Sequence, residues 1–108
     1  MATEKKIAYH LQMKTLQVYP VVYVLLLEGD AKHPNYYYIG DTLNFNQRMS
    51  QHWQGIGARW TRLHKPISVI RVELVQEGDA DILENCLTLE YMALHGSDVV
   101  RGGKYYSP

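Results

Sequence analysis

The chain has 108 residues, enough for one compact domain and too few for two self-sufficient cores. Its 46% hydrophobic and 20% charged residues, with nine Tyr and two Trp, exclude a disordered chain, and the longest apolar run, Val21 to Leu27, excludes a membrane helix of roughly 20 residues. Net charge is zero, which argues against a non-specific nucleic-acid coat, yet the charges are unevenly spread: from Thr42 to Val72 stand Arg48, Arg59, Arg62, Lys65 and Arg71 with no acid among them.

Residues 1–20 show no clean period and are read as an N-terminal arm or short helix packed on the core, ahead of a domain over 21–108. No secretory h-region is visible, so an intracellular site, cytoplasmic or nuclear, is the expectation. After Pro20 the run Val21 to Leu27 is rich in β-branched and aromatic residues and stops at the turn-forming Glu28-Gly29-Asp30, which predicts a central strand. Tyr36 to Ile39 resumes strand character after a loop over Gly29 to Asn35, so the two runs predict an antiparallel hairpin. Asp41, Thr42 and Asn44 are candidate N-caps for a helix reaching Trp53, whose Phe45, Met49 and Trp53 fall at i, i+4, i+8 and are expected to face the core. Gly55 and Gly57 break it, and a loop rich in Arg, Trp and Thr leads to a third strand over Ile67 to Val75. Asp79 and Asp81 then open a helix with Leu83, Leu87 and Leu94 on one face, ending at Gly96. The order β-β-α-β-α predicts an α/β (α+β) fold, a mainly antiparallel three-stranded sheet flanked by helices. The single cysteine, Cys86, forbids an internal disulfide and reads as a buried thiol.

Arg48 and His52 are four residues apart on the first predicted helix and share a face. Arg suits phosphate oxygens through its planar fork and His can pass protons near neutral pH, so the pair fits phosphodiester cleavage, although a solvated helix face is the simpler explanation of either alone. Glu84, read as lying in the first turn of the last helix, can hold one hard cation whose other ligands are water and phosphate. Asp81 and Glu84 also make a D-x-x-E spacing close to a capping box, which accounts for the same residue without chemistry. Tyr23 and Tyr38 sit in adjacent predicted strands, where a phenol either packs or orients a water. The tail Arg101-Gly102-Gly103-Lys104-Tyr105-Tyr106 offers bases and aromatics that can grip a nucleic-acid strand. His10, His33, His64 and His95 lack metal-ligand spacing.

In chain order, Val22-Tyr23-Val24, Tyr38-Ile39-Gly40, Arg48-x-x-x-His52, Gly57-Ala58-Arg59-Trp60-Thr61, the Glu84 helix and Val100-Arg101-Gly102-Gly103 resemble the GIY-YIG nuclease domain over about residues 21–103. Valines flank the first tyrosine, while the second motif is intact. Where many members carry a lysine after the second motif this chain has Asp41, which reads either as a helix cap or as a source of repulsion toward phosphate. The resemblance implies a DNA endonuclease dependent on Mg2+ or Mn2+, in which Glu84 holds the metal, Arg48 steadies the scissile phosphate, and Tyr23, Tyr38 or His52 activates water. It also implies DNA contacts from Arg59, Arg62, Lys65, Arg101 and Lys104, and roles such as repair or recombination. No second recognition region is evident in the sequence, so a DNA structure, a targeting partner or a homodimer is expected to direct cleavage. The opposing expectation is an inactive nucleic-acid-binding or protein-interaction module on the same fold.

Overall fold

A computed structural model describes residues 20–107; the predicted N-terminal arm lies outside the described residues. The elements are β1 (Val21–Glu28), β2 (Asn35–Thr42), α1 (Phe45–Trp53), α2 (Arg59–Leu63), β3 (Pro66–Leu74), α3 (Ala80–His95), a 3-10 turn over Ser97–Val99, and β4 (Val100–Gly102).

The sheet order is β3-β1-β2-β4. Antiparallel ladders join β1 to β2 and β1 to β3, while β4 adds to β2 in parallel. Four strands therefore replace the three expected, within the same class of fold. β4 has only three residues, too few to show an alternating pattern, and α2 has only five, a single turn that reads as loop. β1 lies at the centre with Val21 to Leu25 fully buried, which explains its unbroken apolar run: both faces are covered and no position needs to be polar.

Cross-strand pairing sorts the side chains onto the two faces. Tyr23 pairs with Gly40 and Leu25 with Tyr38, on the face where Tyr23 meets Phe45 and His52 of α1. Val22 pairs with Asp41 and Val24 with Ile39, on the other face. There Tyr37 stacks on His95 and tilts against Tyr91, both from α3. One face thus carries α1 and α2, the other α3.

Local chemistry fixes the connections. The Asp30 carboxylate accepts from the backbone N–H groups of Lys32 and His33 at 3.0 and 2.7 Å and from the Tyr36 hydroxyl at 2.8 Å, closing the β1–β2 loop. Asn44 is the N-cap of α1, its side-chain oxygen accepting from Gln47 N–H at 3.1 Å. Gly96, at φ 101°, ends α3 as expected.

Three burial expectations are corrected. Trp53 and Leu94 are exposed, because each lies on the outer side of its helix's last turn, whose inner side is taken by His52 and His95; Phe45, Met49, Leu83 and Leu87 do pack inward. Cys86 is exposed, on the side of α3 away from Leu87 and Thr88.

Candidate active site

Tyr23 reaches across the α1 face of β1, and its hydroxyl lies 2.7 Å from His52 Nε2. His52 is fully buried, and its other ring nitrogen lies 2.9 Å from the Thr61 hydroxyl of α2. Thr61 donates its own proton to the Ala58 carbonyl at 2.8 Å. With that proton committed, His52 Nδ1 must donate to Thr61, which leaves Nε2 as the acceptor of the Tyr23 proton. One tautomer satisfies every polar atom in the chain Tyr23–His52–Thr61–Ala58.

Glycines make the room. A Cβ at Gly40 would sit 2.5 Å from the Tyr23 hydroxyl and 2.9 Å from the Tyr38 ring, and one at Gly57 would strike His52 Nδ1. Gly40 therefore lets two tyrosines share one face of the hairpin, with ring centroids 6.3 Å apart. The His52 ring meets Tyr38 as well, edge-on at 5.4 Å.

Burial sets the charge states. It pushes the Tyr23 phenol well above its ordinary value, with the nearby Tyr38 adding to the rise, and it raises Tyr38 too. The Arg48 guanidinium lies close enough to both phenol oxygens to pull them back in part. His52 is held down to about 4, first by burial and then by the Arg48 charge, so its imidazole is neutral. Arg48 itself is half-buried and donates to the Gln51 side chain at 2.9 Å.

Glu84 approaches from the other face of the sheet. It is the fifth residue of α3, in the second turn and not the first, and the N-cap Asp79 makes no side-chain cap bond, so helix capping does not account for it. Its side chain is buried, with 8% of the residue exposed. Burial, together with the Asp41 carboxyl within hydrogen-bonding reach, pushes the Glu84 carboxyl up to about 8, against the pull of the nearby Gly103 backbone N–H. Oε2 is buried without a hydrogen-bond partner. An orphaned buried carboxylate oxygen fits a hard cation such as Mg2+ or Mn2+, which takes one or two protein carboxylates and fills the remaining positions with water and phosphate oxygens. Glu84's charge also acts on both phenols, which ties the two faces together.

The structure thus brings Tyr23, Tyr38, Arg48 and His52 into one cluster, with Glu84 beside it. His33 and His95 pack on Tyr36 and Tyr37 and stand apart from that cluster. Thr61, Gly57 and Gly103 join the site beyond the residues the sequence singles out, and Asp41 joins it beside Glu84; the Gly57–Thr61 segment of the resemblance carries the signal for the first two.

The expected DNA-contacting residues divide. Arg59 is exposed and lines a cleft of about 370 Å³ with Tyr38, Trp60, Gly103 and Tyr106. Arg62 and Lys65 line a separate groove with Trp53 and Gly55. Lys104 is exposed, its ammonium 5.5 Å from the Tyr105 ring. Arg101 is half-buried and engaged within the chain: it donates to the Val100, Ser97 and Ser107 carbonyls and lies 4.6 Å over the Trp60 ring.

The family model described as the GIY-YIG catalytic domain matches residues 19–92, more than half of the chain. The chain belongs to that family, whose members are nuclease-type domains acting on DNA, generally as metal-using endonucleases. No curated protein and no solved structure matches the chain. Among the described residues no helix is long and apolar enough to cross a membrane.

Proposed function

We propose that this chain is an active endonuclease that hydrolyses DNA phosphodiester bonds with the help of Mg2+ or Mn2+, directed by DNA structure or by a partner. The observation that carries the reading is the Tyr23–His52 hydrogen bond, with the histidine tautomer fixed by Thr61 so that Nε2 can only accept.

In this mechanism the attacking water gives its proton to the Tyr23 oxygen as the Tyr23 proton passes to His52 Nε2. A concerted double transfer needs no free phenolate, which burial makes costly. The Arg48 charge that disfavours imidazolium is partly neutralised once a scissile phosphate lies against it, so His52 becomes a better acceptor when substrate is present. Arg48 then stabilises the charge that builds on the phosphate, and Tyr38, beside Arg48 and His52, orients the water. Glu84 would hold the metal through its orphaned oxygen; when bound, the cation supplies Lewis-acid stabilisation of phosphate and leaving oxygens.

Support for structure- or partner-directed cleavage comes from the surface. The cleft beside Tyr38 is small, about 370 Å³, and Arg59, exposed along it, is a base of the kind that holds a phosphate without reading sequence. The test is to incubate the protein with plasmid, flapped and branched DNA plus Mg2+ or Mn2+, beside Glu84→Gln and Arg48→Ala. Metal-dependent cleavage by wild type, lost in both variants, is expected. Binding without cleavage would leave the inactive-module reading standing.

A further inference from the structure

Asp41 directly follows Tyr38-Ile39-Gly40, and the structure removes the role of helix cap from it, since Asn44 caps α1. What Asp41 faces follows from how β2 runs along α3. Tyr37 meets Tyr91 and His95; two residues on, Ile39 and Thr88 close around Gly102 from both sides. Each two-residue step of a strand advances about 6.6 Å and each turn of helix about 5.4 Å, so strand positions 37, 39 and 41 keep pace with helix positions 91–95, 88 and 84. The register that sets Tyr37 on His95 therefore delivers the Asp41 carboxyl to Glu84, and the two carboxyls do lie within hydrogen-bonding reach.

On the protein side the Gly103 backbone N–H lies near Glu84 and favours its charged form, with Oε2 buried and unpartnered. Asp41 is exposed and lies on the solvent side. Among the described residues neither carboxylate has an ion-pair partner, the one salt bridge being Arg71–Glu73. Two facing carboxyls, one oxygen orphaned, can both be ionised only if something positive comes between them.

We infer that Asp41 is a second protein ligand, beside Glu84, for the divalent cation of this site. The inference rests on the metal-dependent reading above and adds a residue to it. Two carboxylates balance the charge of the cation and leave about four of six octahedral positions for waters and phosphate oxygens. The all-oxygen donor pair selects Mg2+ or Mn2+ over Zn2+, which favours His and Cys. Charge balance from the protein lets the cation bind before DNA arrives, and with it in place Asp41 no longer repels phosphate.

The experiment is a Mn2+ titration of the full chain without DNA, following the paramagnetic resonance of free hexaaqua Mn2+, for wild type, Asp41→Asn, Glu84→Gln and Asp81→Asn. Circular dichroism melts confirm that each variant folds; Asp41 and Asp81 are exposed, so both amides fit without repacking. Wild type should bind one Mn2+, Asp41→Asn and Glu84→Gln should each weaken binding by about tenfold or more, and Asp81→Asn should match wild type. Asp41→Asn binding like wild type while Glu84→Gln loses Mn2+ overturns the second-ligand inference alone. If Glu84→Gln also binds like wild type, or if wild type shows no Mn2+ binding at millimolar concentrations, the metal assignment of Glu84 falls with it.

Discussion

The two halves of the site have opposite economies of polar groups. On the α1 face, Tyr23, His52 and Thr61 form a closed chain in which each donor and acceptor is matched and both titratable members are neutral. On the α3 face, Glu84 and Asp41 face each other, and one buried oxygen has no partner at all. A satisfied network contributes to folding whether or not substrate is present; an unsatisfied one costs stability until a ligand arrives. The residues proposed to move protons therefore lie inside the core, and those proposed to handle charge lie at its edge.

Substitutions should separate the halves. The largest effect is expected on the open side: Glu84→Gln should lower single-turnover cleavage by roughly a thousandfold or more, with a melting temperature equal to or above wild type when measured above pH 8, where the wild-type carboxyl is ionised and an amide is easier to bury. Arg48→Ala should cost about a hundred- to a thousandfold in the same assay. A Glu84→Gln variant that melts well below wild type would mean that the carboxylate is structural, and the contrast between the halves would collapse.

On the closed side, rate and stability should fall together. Tyr23→Phe leaves His52 Nε2 without a donor, so about 1–3 kcal/mol of stability should disappear in urea unfolding alongside about a hundredfold of rate. Full activity in Tyr23→Phe would remove the phenol from the proton path. Gly40→Ala presses a methyl on both tyrosines and should cost about 1–3 kcal/mol, read by the same unfolding curves.

The smallest effect is a pH signature. His52 binds its proton near 4 when folded and near 6.5 when unfolded, so the unfolded chain takes up the proton first on acidification. Stability from the neutral imidazole is complete above 6.5 and is lost as pH falls toward 4. Comparing wild type with His52→Gln cancels the other titrating groups, and their stability difference should shrink by roughly 2 kcal/mol over that window. The groups facing His52 are Tyr23, Tyr38 and Thr61, with Arg48 on its own helix, so no carboxylate touches it to reverse the sign. A pH-independent difference would show that the ring is not held neutral by the fold.

Much of this architecture was legible in the residues. β1, β2, α1 and α3 have lengths and periods that only one kind of element accommodates, and Gly96 ended the last helix as its position implied. β4 and α2 were not legible, because each is too short to have a period and exists through tertiary pairing, with Tyr37 to Ile39 and around Trp60. Trp53 and Leu94 extend the apolar spacing of their helices but turn outward in the last turn, where His52 and His95 take the inward positions. For the site, the order of Tyr23, Tyr38, Arg48, His52 and Glu84 was visible, but none of their partners was. Thr61 reaches His52 across a glycine break, Gly103 comes near Glu84 from the turn after a strand too short for pattern reading, and Asp41 reads as a cap or as a repulsive charge because only the sheet-to-helix register shows where it points.

The Tyr23–Gly40 pairing bears on how such a chain can change over time. Directly opposed across the β1–β2 ladder, the two positions form one volume shared between a large residue and an empty one. A side chain gained at 40 is tolerable only with one lost at 23, so the two sites should drift as a coupled pair. Val22 and Val24, pointing to the α3 face, answer only to the packing there. Substitution around the first tyrosine is therefore cheap, while the glycine of the second motif is tied to a residue 17 positions upstream.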